Sequence, residues 1–77
     1  MSRNAPIEIV AEMVANVLSV PVEVGGQAEL GDTVVWLESM KMEIPVITES
    51  AGIVREVRVA AGDVVQEGAI LLVLDPA

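Results

Sequence analysis

An all-β fold, a sandwich or flattened barrel of eight short strands, follows from three features of the 77-residue chain. Valine dominates the sequence and isoleucine and threonine add to it; Val and Ile lose χ1 freedom in helices but pack well on a pleated surface. Turn signals recur at short intervals, at Gly25-Gly26, Gly31-Asp32, Ala51-Gly52, Gly62-Asp63 and Glu67-Gly68, with short apolar runs between them. No segment sustains a helical period.

Taken in order, strands are expected at 6 to 11, 13 to 19 and 20 to 24, the last closed by the first glycine pair. A fourth at 33 to 39 starts after Gly31-Asp32, and a fifth at 43 to 48 follows a tight connection. Ala51-Gly52 opens a sixth at 51 to 57, a seventh at 57 to 60 runs into Gly62-Asp63, and an eighth at 69 to 75 follows Glu67-Gly68.

The chain contains an internal repeat. A shift of 37 residues aligns 7 to 38 with 44 to 75 without a gap, and eight positions are identical: Ile7/Ile44, Glu12/Glu49, Val17/Val54, Val20/Val57, Val22/Val59, Gly25/Gly62, Gly31/Gly68 and Leu37/Leu74. Matching valines are common in a Val-rich chain, but matching turn glycines imply matching backbone, because glycine enters positive φ without steric cost. Two like halves related by a pseudo-twofold axis are expected. Val17, Val20, Val22, Leu37, Val54, Val57, Val59 and Leu74 should form their core. The link between the halves, residues 39 to 43, corresponds under the shift to the two chain ends, so it should project as a hairpin from the end opposite the termini.

Composition narrows function. No cysteine and no histidine means no disulfide framework, no zinc finger, no Cys or His nucleophile and none of the commonest metal sites. Twelve acidic residues against four basic give a net charge of −8, which disfavours nucleic acid and anionic membrane surfaces as partners. Mean hydropathy is +0.64, yet the longest apolar run is only Ala69 to Leu74, so a soluble protein is expected. The first residues carry no apolar h-region, which makes the cytoplasm the expected compartment. A chain of this size with no catalytic Ser, His or Cys setting is expected to be no enzyme.

The hairpin sequence Glu38-Ser39-Met40-Lys41-Met42-Glu43 is unusual for a loop tip, with two long apolar side chains around the chain's single lysine. Without glycine, a primed two-residue turn is not expected, and a type I turn with Lys41 at a central position is. Spacing alone leaves open whether Lys41 is a solubilising charge and the methionines gap-fillers. Trp36 should face outward if Leu37 faces the core, and Arg55 and Arg58 read as a solvated strand face.

These residues closely resemble the Glu-x-Met-Lys-Met motif of the biotinyl/lipoyl attachment domain family, in which the central lysine receives biotin through an amide bond. The resemblance runs from Ile7 to Leu74 and includes Gly31-Asp32-Thr33-Val34 before the motif, then Gly52-Ile53-Val54 and Gly62-Asp63-Val64 after it. Departures are Val14-Ala15, where the family often has glycine, and Gly26, where it has Asp. The segment Glu23 to Leu30 is too short for the "thumb" insertion of some carriers, so the chain looks like the minimal form, one biotinyl domain over 1 to 77.

The resemblance implies two four-stranded antiparallel sheets in a barrel-sandwich hybrid. It implies a non-catalytic biotin carboxyl carrier: a biotin protein ligase attaches biotin to Lys41, and the tethered group shuttles a carboxyl between a biotin carboxylase and a carboxyltransferase. Met40 and Met42 would flank the recognised lysine, and Glu38 and Glu43 would meet a basic ligase surface, or simply discourage edge pairing. A lipoyl carrier shares the fold and the lysine but usually has Asp-Lys-Ala or Asp-Lys-Val at the tip. A non-carrier barrel of the efflux-adaptor type has a long helical insertion where only five residues separate Glu38 from Ile44.

Overall fold

The structure is a computed structural model that describes residues 5–77. Eight strands, β1 (Ile7–Val10), β2 (Ala15–Ser19), β3 (Gln27–Ala28), β4 (Thr33–Ser39), β5 (Met42–Ile47), β6 (Gly52–Val57), β7 (Val64–Val65) and β8 (Ile70–Pro76), form two antiparallel four-stranded sheets. One sheet runs β1-β8-β6-β3 and the other β5-β4-β2-β7. The 37-residue shift turns each order into the other, as the repeat requires. Among the described residues, no helix is long and apolar enough to cross a membrane.

The symmetry extends to single hydrogen bonds. The Gly25 amide donates to the Val54 carbonyl at 2.8 Å, and the Gly62 amide donates to the Val17 carbonyl at 2.8 Å. Likewise the Gly31 amide reaches the Thr48 carbonyl at 2.9 Å, and the Gly68 amide reaches the Ala11 carbonyl at 2.8 Å. Each half therefore satisfies turn amides of the other, which ties the halves into one cooperative unit. Bulges repeat too: the β2–β4 register shifts between Val17 and Ser19, and the β6–β8 register shifts between Val54 and Glu56.

Two expected strands, 20 to 24 and 57 to 60, are not ladders, apart from Val57, which closes β6 opposite Leu72. Burial alternates along both, with Val20, Val22, Val57 and Val59 half-buried, but 20 to 24 carry the chain from the β2 sheet to the β3 sheet, and the residues after β6 make the reverse crossing. The missing ladders lie beyond the turn glycines as the two-residue strands β3 and β7, whose partners are β6 and β2. A two-residue strand has no period of its own, so its pairing is a purely tertiary event.

Of the expected core, Val17, Leu37, Val54 and Leu74 are buried, while Val20, Val22, Val57 and Val59 pack half-buried against it. Neighbours Val34-Val35 and Leu71-Leu72 are buried together, against simple alternation. The ladders skip Val34 between the Thr33↔Ile47 and Val35↔Val46 pairs, and skip Leu71 between Ile70↔Val10 and Leu72↔Ile9, so bulges turn successive side chains out of view of water.

Candidate functional site

Strands β4 and β5 form a hairpin whose register runs Leu37↔Ile44, Glu38↔Glu43 and Ser39↔Met42, leaving Met40 and Lys41 as a two-residue turn. The inward side chains at its base, buried Leu37 and half-buried Ile44, anchor it to the core. All five sequence-predicted site residues, Glu38, Met40, Lys41, Met42 and Glu43, thus lie on one hairpin.

The turn corrects one expectation. Met40 has φ 54° and Lys41 φ 65°, so both central residues are left-handed, the pattern of a type I′ turn and not of type I. The right-handed twist of the flanking strands selects the primed turn even though neither residue favours it. Each side chain there costs ~1–2 kcal/mol relative to glycine, a strain that packing below the turn must offset. The sequence signal that misled is the absence of Gly, Asn or Asp; the two-residue length would have found the right turn.

Both methionines are out in solvent, Met40 at 91% and Met42 at 61% of their full exposure, and Lys41 is exposed between them. Neither methionine fills a gap in the core. Exposed thioethers lose the packing that normally rewards an apolar side chain, and what they offer is a soft, adaptable contact for another surface. Glu38 and Glu43 stand directly opposite each other on adjacent strands. Like charges in that relation repel. Among the described residues, the ion pairs are Arg55–Asp75 and Arg58–Glu56, both at 3.3 Å, and neither touches the hairpin.

Trp36 lies half-buried outside the core, opposite Pro45 on β5 and Ser19 on β2. Arg55, on β6, and Arg58, one residue past its end, are both about half exposed, whereas the sequence placed both on a strand face.

Chemically, the arrangement is an acylatable amine on a projecting turn, flanked by apolar contacts and followed below by a pair of carboxylates.

A sequence profile of the family described as "Biotin-requiring enzyme" matches residues 4–74. Over 67 residues the chain is 52% identical to a biotinylated protein TB7.3 homolog of Mycobacterium leprae, covering 87% of this chain and 94% of that protein. Over 63 residues it is 49% identical to a biotin/lipoyl attachment protein of Bacillus subtilis, covering 82% of this chain and 86% of the relative. The fold superposes with a TM-score of 0.89 and 27% identity on part of a single-chain, multi-domain long-chain acyl-CoA carboxylase, spanning all of this chain and 8% of that one.

Proposed function

The chain belongs to the biotin/lipoyl attachment family, and on that premise we propose that it is a biotin carrier with Lys41 as its attachment point. The observation that carries this reading is the placement of the only lysine at the centre of an exposed turn between two exposed methionines. Residues 7–38 and 44–75 are the rigid body, and 39–43 the arm that presents the amine.

The Lys41 Nζ attacks the acyl carbon of biotinyl-adenylate held by a biotin ligase. An amide C–N bond forms, the acyl–oxygen bond to phosphate breaks, and AMP leaves with the electron pair. Only the neutral amine is nucleophilic, so a base on the ligase takes the proton. Met40 and Met42 seat the turn on the ligase, and Glu38 and Glu43 meet basic side chains there. Bound biotin supplies the ureido nitrogen that accepts and releases a carboxyl group. The carrier contributes tethering, which raises the local concentration of the arm to roughly mM at the partner sites. Those partners are a biotin carboxylase and a carboxyltransferase, and the carrier itself performs no catalysis. Flanking methionines favour biotin over lipoate.

The test is the intact mass after incubation with biotin, ATP and purified biotin ligase. One added biotinyl group is expected on the wild type and none on Lys41→Arg. Acylation only by lipoate ligase in a parallel reaction would replace biotin with lipoate, and no acylation by either enzyme would remove the carrier reading.

A further inference from the structure

The pseudo-twofold provides an internal control for the outer faces of the two sheets. On the sheet β1-β8-β6-β3, the outward positions Glu8, Arg55, Glu56 and Asp75 are charged, Arg55 is paired with Asp75 at 3.3 Å, and Val73 beneath them is only 5% exposed. Under the 37-residue shift their counterparts on the other sheet are Pro45, Leu18, Ser19, Glu38 and, for Val73, Trp36. At these positions the same backbone carries an ion-paired polar cover on one face and an apolar strip on the other; farther along the polar face Ile53 is 43% exposed, where the other sheet has Asn16.

One exchange is particularly informative. Glu38 occupies the place of Asp75, but Leu18 stands where Arg55 supplies the cation, and Leu18 is 37% exposed. Across the ladder, Glu38 faces Glu43. Two carboxylates therefore border an apolar strip with the chain's own cation removed. The strip is continuous with the hairpin, since Trp36 and Pro45 lie on the strands that carry Met40 and Lys41.

We propose that the outer face formed by Leu18, Trp36 and Pro45 is a docking surface for the enzyme that acylates Lys41, which presents an apolar patch bordered by Arg or Lys side chains to Glu38 and Glu43. This rests on the carrier reading above. A second copy of the chain is a poor occupant, because it would bring the same acidic hairpin and a net charge of −8 to the interface. A buried aromatic anchor with apolar neighbours and a charged rim is the usual anatomy of a protein contact, and here the opposite face shows what the fold looks like without one.

The test is steady-state biotinylation of the whole chain by purified biotin ligase, read by mass, with thermal unfolding of each variant beside it. Leu18→Thr and Trp36→Thr are expected to raise KM for the carrier about tenfold with kcat unchanged. Ile53→Thr, on the outer face of the other sheet and 43% exposed, is expected to leave both constants at wild-type values. Leu18 is already exposed, so its replacement keeps the test valid if the Trp36 variant fails to fold. Wild-type KM in the Leu18 and Trp36 variants, with Lys41 still labelled, would overturn the docking surface and leave the carrier function intact. An equal rise in Ile53→Thr would overturn it as well. So would a wild-type dimer in sedimentation that Leu18→Thr dissolves, since the occupant would then be a second copy. Failure of the wild type to be labelled would remove the carrier reading and the surface together.

Discussion

The turn at Met40-Lys41 and the turns at Gly25 and Gly62 all use left-handed backbone, and they meet its cost in opposite ways. At Gly25 and Gly62, φ is 88° and 96°, and glycine carries that conformation without a Cβ to clash. At the hairpin tip, the same region of φ is imposed on a methionine and a lysine, both left in solvent. In the body, local preference, pairing and burial agree. At the tip they conflict, and the stability lost there is supplied by the strands below. The comparison teaches where the molecule tolerates inconsistency, which is at the proposed attachment turn.

The largest effect should come from the layer beneath both regions. Leu37→Ala at the base of the hairpin and Leu74→Ala at its repeat counterpart are each expected to cost about 2–5 kcal/mol in urea unfolding, because both side chains are fully buried. Losses below about 0.5 kcal/mol at both would contradict the burial assigned to them.

Next comes a site at which the halves differ. Gly52 is the counterpart of buried Ala15, yet a Cβ at Gly52 would collide with the Asp75 carbonyl oxygen. Gly52→Ala should therefore destabilise by about 1–3 kcal/mol, although the same residue is native in the other half. A neutral outcome by thermal unfolding would show that β6 and β8 can separate locally.

The tip should respond with the opposite sign. Met40→Asn puts a residue that tolerates αL into the turn and is expected to stabilise by about 1 kcal/mol. The same change should slow biotinylation, measured as initial rate by mass. A variant that loses stability would show that the turn is not strained.

The smallest effect concerns the glycine turns themselves. Asp63 accepts a hydrogen bond from the Ala60 amide at 2.9 Å, whereas its counterpart Gly26 has no side chain to accept one from Glu23. Gly26→Asp should add about 0.5 kcal/mol through that bond and a less flexible unfolded chain. A loss instead would mean that the added Cβ, 3.0 Å from the Glu23 carbonyl oxygen, does not fit.

How much of this was legible in advance depends on the range of the interaction involved. The five residues of the candidate site fall within six consecutive positions, so their grouping needed no fold. The repeat was visible because Gly25/Gly62 and Gly31/Gly68 mark backbone that only particular residues accept, and the structure gives each pair matching positive φ. Half of the expected core is fully buried; of the rest, Val57 closes β6 and Val20, Val22 and Val59 line the crossings, since period-2 alternation continues where the chain is extended without a ladder.

By itself, then, the sequence determined the all-β character, the twofold repeat, the hairpin and the family, because β-branched composition, turn glycines and a contiguous motif act locally. The tertiary structure alone decided that β3 and β7 exist, that Val34 and Leu71 turn inward, that the tip is a type I′ turn, and that Glu38 faces Glu43 with Leu18 in place of a cation. Each of these depends on which distant strand lies alongside and on the twist it imposes, and no local preference encodes that partner.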